Sequence, residues 1–183
     1  GLKENRNGFR QRNRDLHKLD VLVIGHFNIE FLVGDPKGKD GPRGFFKFYN
    51  ELWDEKQLGP KPVKNPLDLL EKNADGTPRT NNTYSIGGMK EYWACLNNQH
   101  WRAVLKAWVR EGIRAGVDGF MINYFYRHNC LCEHCQNSFR SYLGKRFTAA
   151  ELKTKFKINQ LAAHNFTEIG AWHDPAKSTL FKR

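Results

Sequence analysis

Along this chain the spacing of apolar positions changes several times, and each change marks an element. Val21, Leu22, Val23 and Ile24 form an unbroken apolar run inside LDVLVIGHFN, residues 19–28. Such a run, without alternation, predicts a parallel strand covered on both faces. Residues 1–17 before it are polar and basic and predict a loop or short helix. In NQHWRAVLKAWVREGIRAG, residues 98–116, Trp101, Val104, Leu105, Trp108 and Val109 recur every three to four positions. That period predicts a helix with one apolar face, capped by Asn97 or Asn98 and ended by Gly116. VDGFMINYF, residues 117–125, reads as a strand directly behind it, an α-to-β junction of a parallel protein. CQNSFRSYLGKRF, residues 135–147, sets Phe139, Tyr142 and Leu143 on one side of a further helix, and Thr148 caps another.

Between the first strand and the long helix the pattern dissolves. Residues 32–97 carry GDPKGKDGPRG, GPKPVKNP and NADGTPRTNN, all dominated by turn formers. Two short helices are predicted there, in FFKFYNELWDEK and in PLDLLEK, the second capped by Asn65. The stretch also holds Phe45, Phe46, Phe48, Tyr49, Trp53, Tyr84, Tyr92 and Trp93, an aromatic load that implies packing onto a partner element. A long excursion inside a compact domain is more often functional than accidental. The order strand, loop, helix, strand, loop, helix fits consecutive βα units. A complete eight-unit barrel needs about 250 residues. The expectation is therefore an α/β domain, a partial or reduced (β/α) barrel of TIM type, over residues 1–183 or as a piece of a larger barrel.

Composition narrows this further. The 183 residues are 39 % hydrophobic and 13 % aromatic, a folding composition rather than a disordered one. No apolar run reaches the roughly 20 residues needed to cross a bilayer, so no membrane role is predicted. The first residues, GLKENRNGFRQRNRD, lack the apolar core of a signal peptide. The net charge of +11 keeps nucleic acid in view as a partner. Much of the surplus lies near the two ends, which also suits an ordinary solvated surface.

All four cysteines fall into one pattern. Cys130, Cys132 and Cys135 make a Cys-x-Cys-x2-Cys run, and Cys95 stands upstream of the long helix. Four thiolates complete a closed tetrahedral shell around zinc, the form of a structural site. His128 and His134 flank the run as competing ligands. Two disulfides and four buried free thiols are the alternatives. Zinc places the chain in a reducing compartment such as the cytoplasm; disulfides place it in the periplasm or outside the cell.

GVDGFMINYFYRHNCLCEHCQNSFRSYLGKRF resembles the fourth βα unit of glycoside hydrolase family 42, the β-galactosidases. There a strand-end Asn-Glu pair is followed by a Cys-rich run and a helix opening Gln-x2-Phe-Arg-x-(Trp/Tyr)-Leu. Cys130-Leu131-Cys132-Glu133-His134-Cys135-Gln136 and Phe139-Arg140-Ser141-Tyr142-Leu143 match that stretch. Cys95 stands where the family's fourth zinc cysteine stands. The resemblance spans residues 95–147 and implies a bacterial glycosyl-hydrolase-like protein with a structural zinc. One departure is functional: Asn123 is followed by Tyr124, where the family has its acid/base Glu. Glycosidases need two carboxyl groups flanking the bond they cut, and tyrosine is too weak an acid to replace one.

In a barrel, residues at the carboxyl ends of strands face the pocket. That rule selects His26, Asn28 and Glu30 after the first strand, and Asn123, Tyr124, Tyr126 and Arg127 after the second. Glu30 is the carboxylate placed for acid/base work; the other six are candidate sugar contacts. Asp118, at the amino end of its strand, reads as structural. Each of these also has a plain reading: a surface carboxylate, a hydrogen-bonded core histidine, strand-end packing. Three function classes follow: a carbohydrate-active enzyme, a zinc-stabilised nucleic-acid-binding module, and a non-catalytic sugar-binding domain. The partners they imply are a glycan, a nucleic acid, and a second copy or a missing barrel half. Asn81 and Asn165 open Asn-x-Thr sequons, which matter only in secreted eukaryotic proteins. No phosphate-binding loop, nucleophile elbow or His-Glu-x2-His motif occurs.

Overall fold

The computed structural model describes residues 2–123 and 129–167. In chain order its elements are α1 (Leu2–His17), β1 (Ile24–Asn28), β2 (Phe31–Gly38), β3 (Gly41–Gly44), α2 (Phe45–Lys47), α3 (Glu55–Leu58), β4 (Thr80–Ile86), β5 (Met89–Trp93), α4 (Gln99–Arg114), β6 (Gly119–Asn123), α5 (Glu133–Arg146) and α6 (Ala149–Phe156). A π-helical turn, Phe48–Leu52, follows α2, and 3-10 turns occupy Pro66–Leu69 and Leu161–Ala163.

The strands form two sheets: a parallel pair, β1 with β6, and a four-stranded antiparallel sheet in the order β3-β2-β5-β4. The fold is thus a small α/β fold, and no closed barrel exists among the described residues. This corrects the expectation of a partial or reduced TIM barrel. The physical reason lies in residues 32–97. Residues 39–40 and 87–88 are the corners of the β2–β3 and β4–β5 hairpins, so the excursion pairs with itself instead of supplying parallel strands. Its register runs from Phe31↔Trp93 to Gly34↔Lys90 between β2 and β5, and Gly34↔Gly44 opens the β2–β3 pairing. Gly44 must be glycine: its φ is 58°, and a Cβ there would collide with the Val33 carbonyl oxygen.

The parallel pair runs in register from Ile24↔Gly119 to Asn28↔Asn123. One face is covered. Phe27 meets Trp108 and Phe120 edge-on, at 6.4 and 5.7 Å between centroids. Elsewhere the pair is open: Ile24 is 61 % exposed and Met121 54 %, while Leu22 just before β1 is 73 % exposed. The apolar run Val21–Ile24 is therefore not a strand buried on both faces. The strand begins only at Ile24, and the second cover that such a run implies is missing among the described residues. At its amino end, Asp118 accepts a hydrogen bond from the Val23 backbone N–H at 2.7 Å and bonds the His17 ring at 2.8 Å. That carboxylate ties α1 to both strands, a structural role.

The N-terminal segment, predicted as a loop or short helix, is a full 16-residue helix. Asn13 on it is fully buried and donates to the Ala115 carbonyl at 2.8 Å, docking α1 on the end of α4. The long helix follows its sequence signals closely. Asn98 caps it by accepting from the His100 N–H, and Gly116 lies just past its end with φ 83°. Thr148 and Glu151 form a full capping box on α6. The predicted helix in FFKFYNELWDEK is broken into α2, the π turn and α3, with Trp53 extended between the last two.

The core is aromatic. Phe45, Phe46, Tyr49, Trp53 and Tyr92 from the excursion pack with Leu32, Leu69, Leu70 and the α4 residues Trp101, Val104 and Ala107. Trp101 is fully buried, lies edge-on to Phe45 and Trp108, and donates its indole N–H to the Ile29 carbonyl at 2.7 Å. The aromatic load thus finds its partner in α4. A second apolar cluster, Leu143, Leu152, Ile158 and Phe166, lies under α5 and α6. Trp101→Ala removes both ring packing and a buried hydrogen bond, so we expect a loss of about 3–5 kcal/mol in urea unfolding. Leu22→Ser, at an exposed position, should change the same midpoint by less than about 0.5 kcal/mol.

Candidate metal centre and adjoining cavity

Three extended segments lie side by side at one end of the antiparallel sheet. Ala94 donates to the Glu30 carbonyl at 2.9 Å on one flank and bridges Leu70 on the other. Glu71 then donates to the Trp93 carbonyl at 2.8 Å, and Cys95 to the Leu69 carbonyl at 3.0 Å. The central segment carries Cys95; its neighbours carry Glu30 and Glu71. The Cys-rich loop is laced onto the same edge. Leu131 donates to the Lys72 carbonyl at 2.9 Å, and Arg79 to the Asn129 carbonyl at 3.0 Å.

This lacing brings Cys95, Cys130, Cys132 and Cys135 together. Their four Sγ atoms lie within 4.8 Å of one another, with Cys95 3.4 Å from Cys135 and 3.6 Å from Cys132. Four thiolates at about 2.3 Å from one tetrahedral ion would be about 3.8 Å apart, so the set fits a single ion. All four are buried free thiols. Cys132 also caps α5, placing the positive end of the helix beside the sulfurs. The Asn97 amide donates to Cys135 at 3.3 Å, a support of the kind metal ligands commonly receive. The thiols compete for protons. Hydrogen bonding with Cys130 pulls Cys132 well below the ordinary thiol range and pushes Cys95 well above it. One shared cation would replace that competition, at the cost of releasing protons. His134 is not in the set; its ring meets His100 instead, at 6.0 Å.

A cavity of about 410 Å³ opens beside the sulfurs, lined by Glu30, Glu71, Asn97, Asn129, Phe139 and Tyr142 as well as by cysteines. Both carboxylates are deep: Glu30 is 5 % exposed and Glu71 4 %. Burial pushes the Glu71 carboxyl up to about 8; the negative charge of Cys130 and of Glu30 adds to this, while Arg79, 3.5 Å away, opposes it. At the cavity mouth the Phe139 and Tyr142 rings lie nearly parallel, 9° apart, with centroids 6.3 Å apart.

The candidate residues separate into groups. Glu30 is in the cavity with the cysteines. His26 and Asn28 line a different depression, between β1 and the start of α2. Asn123 is hydrogen-bonded to the His26 ring at 3.1 Å. Tyr124, Tyr126, Arg127 and His128 lie outside the described residues. Glu71 and Asn129 carry no motif in the sequence, and Asn97 reads there only as a candidate helix cap. The signal for Glu71 was its position, an acid directly behind the buried pair Leu69-Leu70. Comparison with protein families, with curated protein sequences and with solved structures finds no match. No helix among the described residues is long and apolar enough to cross a membrane.

The raised Glu71 carboxyl has a consequence for stability. Between the ordinary carboxylate range and about pH 8 the folded chain holds a proton that the unfolded chain has lost. Stability must therefore fall as pH rises through that window. Urea midpoints taken at about pH 5 and pH 8, with metal saturating, should fall more for the wild type than for Glu71→Gln. Parallel changes in the two proteins would contradict the assignment.

Proposed function

We propose that this chain is a carbohydrate-active domain that holds a structural zinc ion on Cys95, Cys130, Cys132 and Cys135 and takes a glycan in the cavity beside it. The observation that carries the reading is the lining of that cavity. Buried carboxyls and amides, from Glu30, Glu71, Asn97 and Asn129, supply hydrogen bonds to hydroxyl groups, and the Phe139–Tyr142 pair supplies an aromatic platform for a sugar ring. A mostly apolar wall with a few convergent polar groups is the usual form of a small-molecule site. Four sulfur ligands suit zinc over the harder divalent ions and leave no open position for catalysis. The similarity of residues 95–147 to glycoside hydrolase family 42 points the same way. Glu30 is the acid/base carboxylate in this reading.

Charge weighs against the nucleic-acid alternative. A polyanion entering the cavity meets the buried residues Glu30 and Glu71.

Elemental analysis should find one zinc per chain. Chelation should release it and lower the melting temperature, and Cys132→Ser should purify without it. A metal-free native protein with two disulfides would end the zinc assignment. Glu30→Gln should abolish glycoside hydrolysis while retaining zinc; undiminished turnover would remove Glu30 from the chemistry. Oligonucleotide binding with a steep salt dependence would favour the nucleic-acid reading instead.

A further inference from the structure

A larger cavity, of about 620 Å³, lies between α1, the π turn, α3 and α4, and shares no residue with the one beside the sulfurs. Phe48, Leu52, Leu58 and Trp108 form its apolar wall. The local backbone opens it. The π turn Phe48–Leu52 is wider than an α turn, Trp53 is extended behind it, and Asp54 restarts the chain as α3 by accepting from the Lys56 N–H at 3.0 Å. Single π turns of this kind recur at functional sites. The wall is held from behind. Trp108 lies edge-on to Trp101 at 5.4 Å and tilted against Phe48 at 6.0 Å, and Arg114 ties α4 to α3 by donating to the Gln57 carbonyl at 2.9 Å. A preformed, mostly apolar cleft with a few polar groups is the usual form of a small-molecule site.

The polar groups at this cavity are unevenly satisfied. Glu111 pairs with Arg114 at 2.7 Å, while Arg10 and Arg6 face its other oxygen at only 3.6 and 4.0 Å. Arg6 makes that long contact through Nη1. Its Nε is buried and has no hydrogen-bond partner. Nε belongs to the edge of the guanidinium that can take a carboxylate bidentately. Three arginines around one glutamate leave net positive charge at this end of the cavity, and Asp54, its other acid, is engaged by the α3 backbone. We propose that this cavity is a binding site for an amphipathic carboxylate, separate from the glycan cavity and not dependent on it. The apolar body lies along Phe48, Leu52, Leu58 and Trp108, and the carboxylate sits on Arg6. Such a ligand supplies the acceptor that the buried Nε lacks, and an unsatisfied buried donor is costly to leave. It also covers Leu52, which is 42 % exposed.

The test uses the full chain at neutral pH and two probes of one shape, octanoate and 1-octanol, in titration calorimetry. Octanoate should bind at one saturable site with a Kd below about 1 mM, and octanol, which carries no charge, ~10-fold more weakly or worse. Arg6→Gln should bring octanoate down to the octanol level and leave octanol as it was. Arg12→Gln removes the same charge from α1 outside the cavity and should change neither. Leu52→Glu, at an exposed lining position, should abolish octanoate binding. Octanol binding as tightly as octanoate overturns the proposal, as does an equal loss in Arg6→Gln and Arg12→Gln, or octanoate binding that survives Leu52→Glu. No saturable binding of octanoate overturns it outright. Should Arg6→Gln fail to fold, the remaining proteins decide: octanoate must outbind octanol in the wild type and be lost in Leu52→Glu.

Discussion

The convergence of four sulfurs is the contact on which the arrangement of this chain depends. The aromatic core on α4 and the smaller apolar cluster under α5 and α6 share no residue. What lies between them is the cysteine set, with Cys95 belonging to the first body and Cys130, Cys132 and Cys135 to the second. Two backbone and side-chain bonds, Leu131 to Lys72 and Arg79 to Asn129, run beside it. Each such bond is worth only about 1 kcal/mol net. A structural zinc on four thiolates binds with an apparent 10–16 kcal/mol or so. On that scale the ion, more than burial or hydrogen bonding, would decide whether the C-terminal helices stay docked. It would also hold one wall of the cavity, since Phe139 and Tyr142 ride on α5.

Charge accumulates on one side of this junction. A divalent ion on the four thiolates would leave two net negative charges there, and Glu30 and Glu71 lie buried beside the sulfurs. Arg79 is the cation paired with Glu71, and Lys72 is half-buried nearby with its ammonium donating to the Leu67 carbonyl. Burial and the surplus of negative charge both oppose ionisation of a second carboxyl. Glu71 is the carboxyl on which this falls, held above the ordinary carboxylate range.

What the sequence made legible was local. The caps at Asn65, Asn98 and Thr148, the end of α4 at Gly116, and the grouping of the four cysteines each rest on a few neighbouring residues, and the structure contains them. What it hid was pairing. GDPKG and TNNTYSI carry turn residues and little alternation, so the strands β2 and β4 are masked by their own corners. Continuous apolar character at Val21–Ile24 predicts burial, but burial is set by what lies on the other face. Glu71 is hidden differently: the other residues of its cavity, Glu30, Cys95 and Cys130, are distant in sequence, and only the strand-like lacing around Ala94 gathers them.

The open parallel pair also constrains the path by which the chain folds. Val23 and Asp118, which lock the start of that pair, are 95 positions apart. Closing so long a loop directly in the unfolded chain forfeits entropy before any contact offsets it. The hairpins of the antiparallel sheet and the helix α4 lie inside the loop and rely on shorter separations. Once they form, the two strands are carried close together and the remaining loss is small. Topology thus favours a sequence of events in which the excursion folds first and the strand pair closes last, with folding speed governed by that final long-range closure.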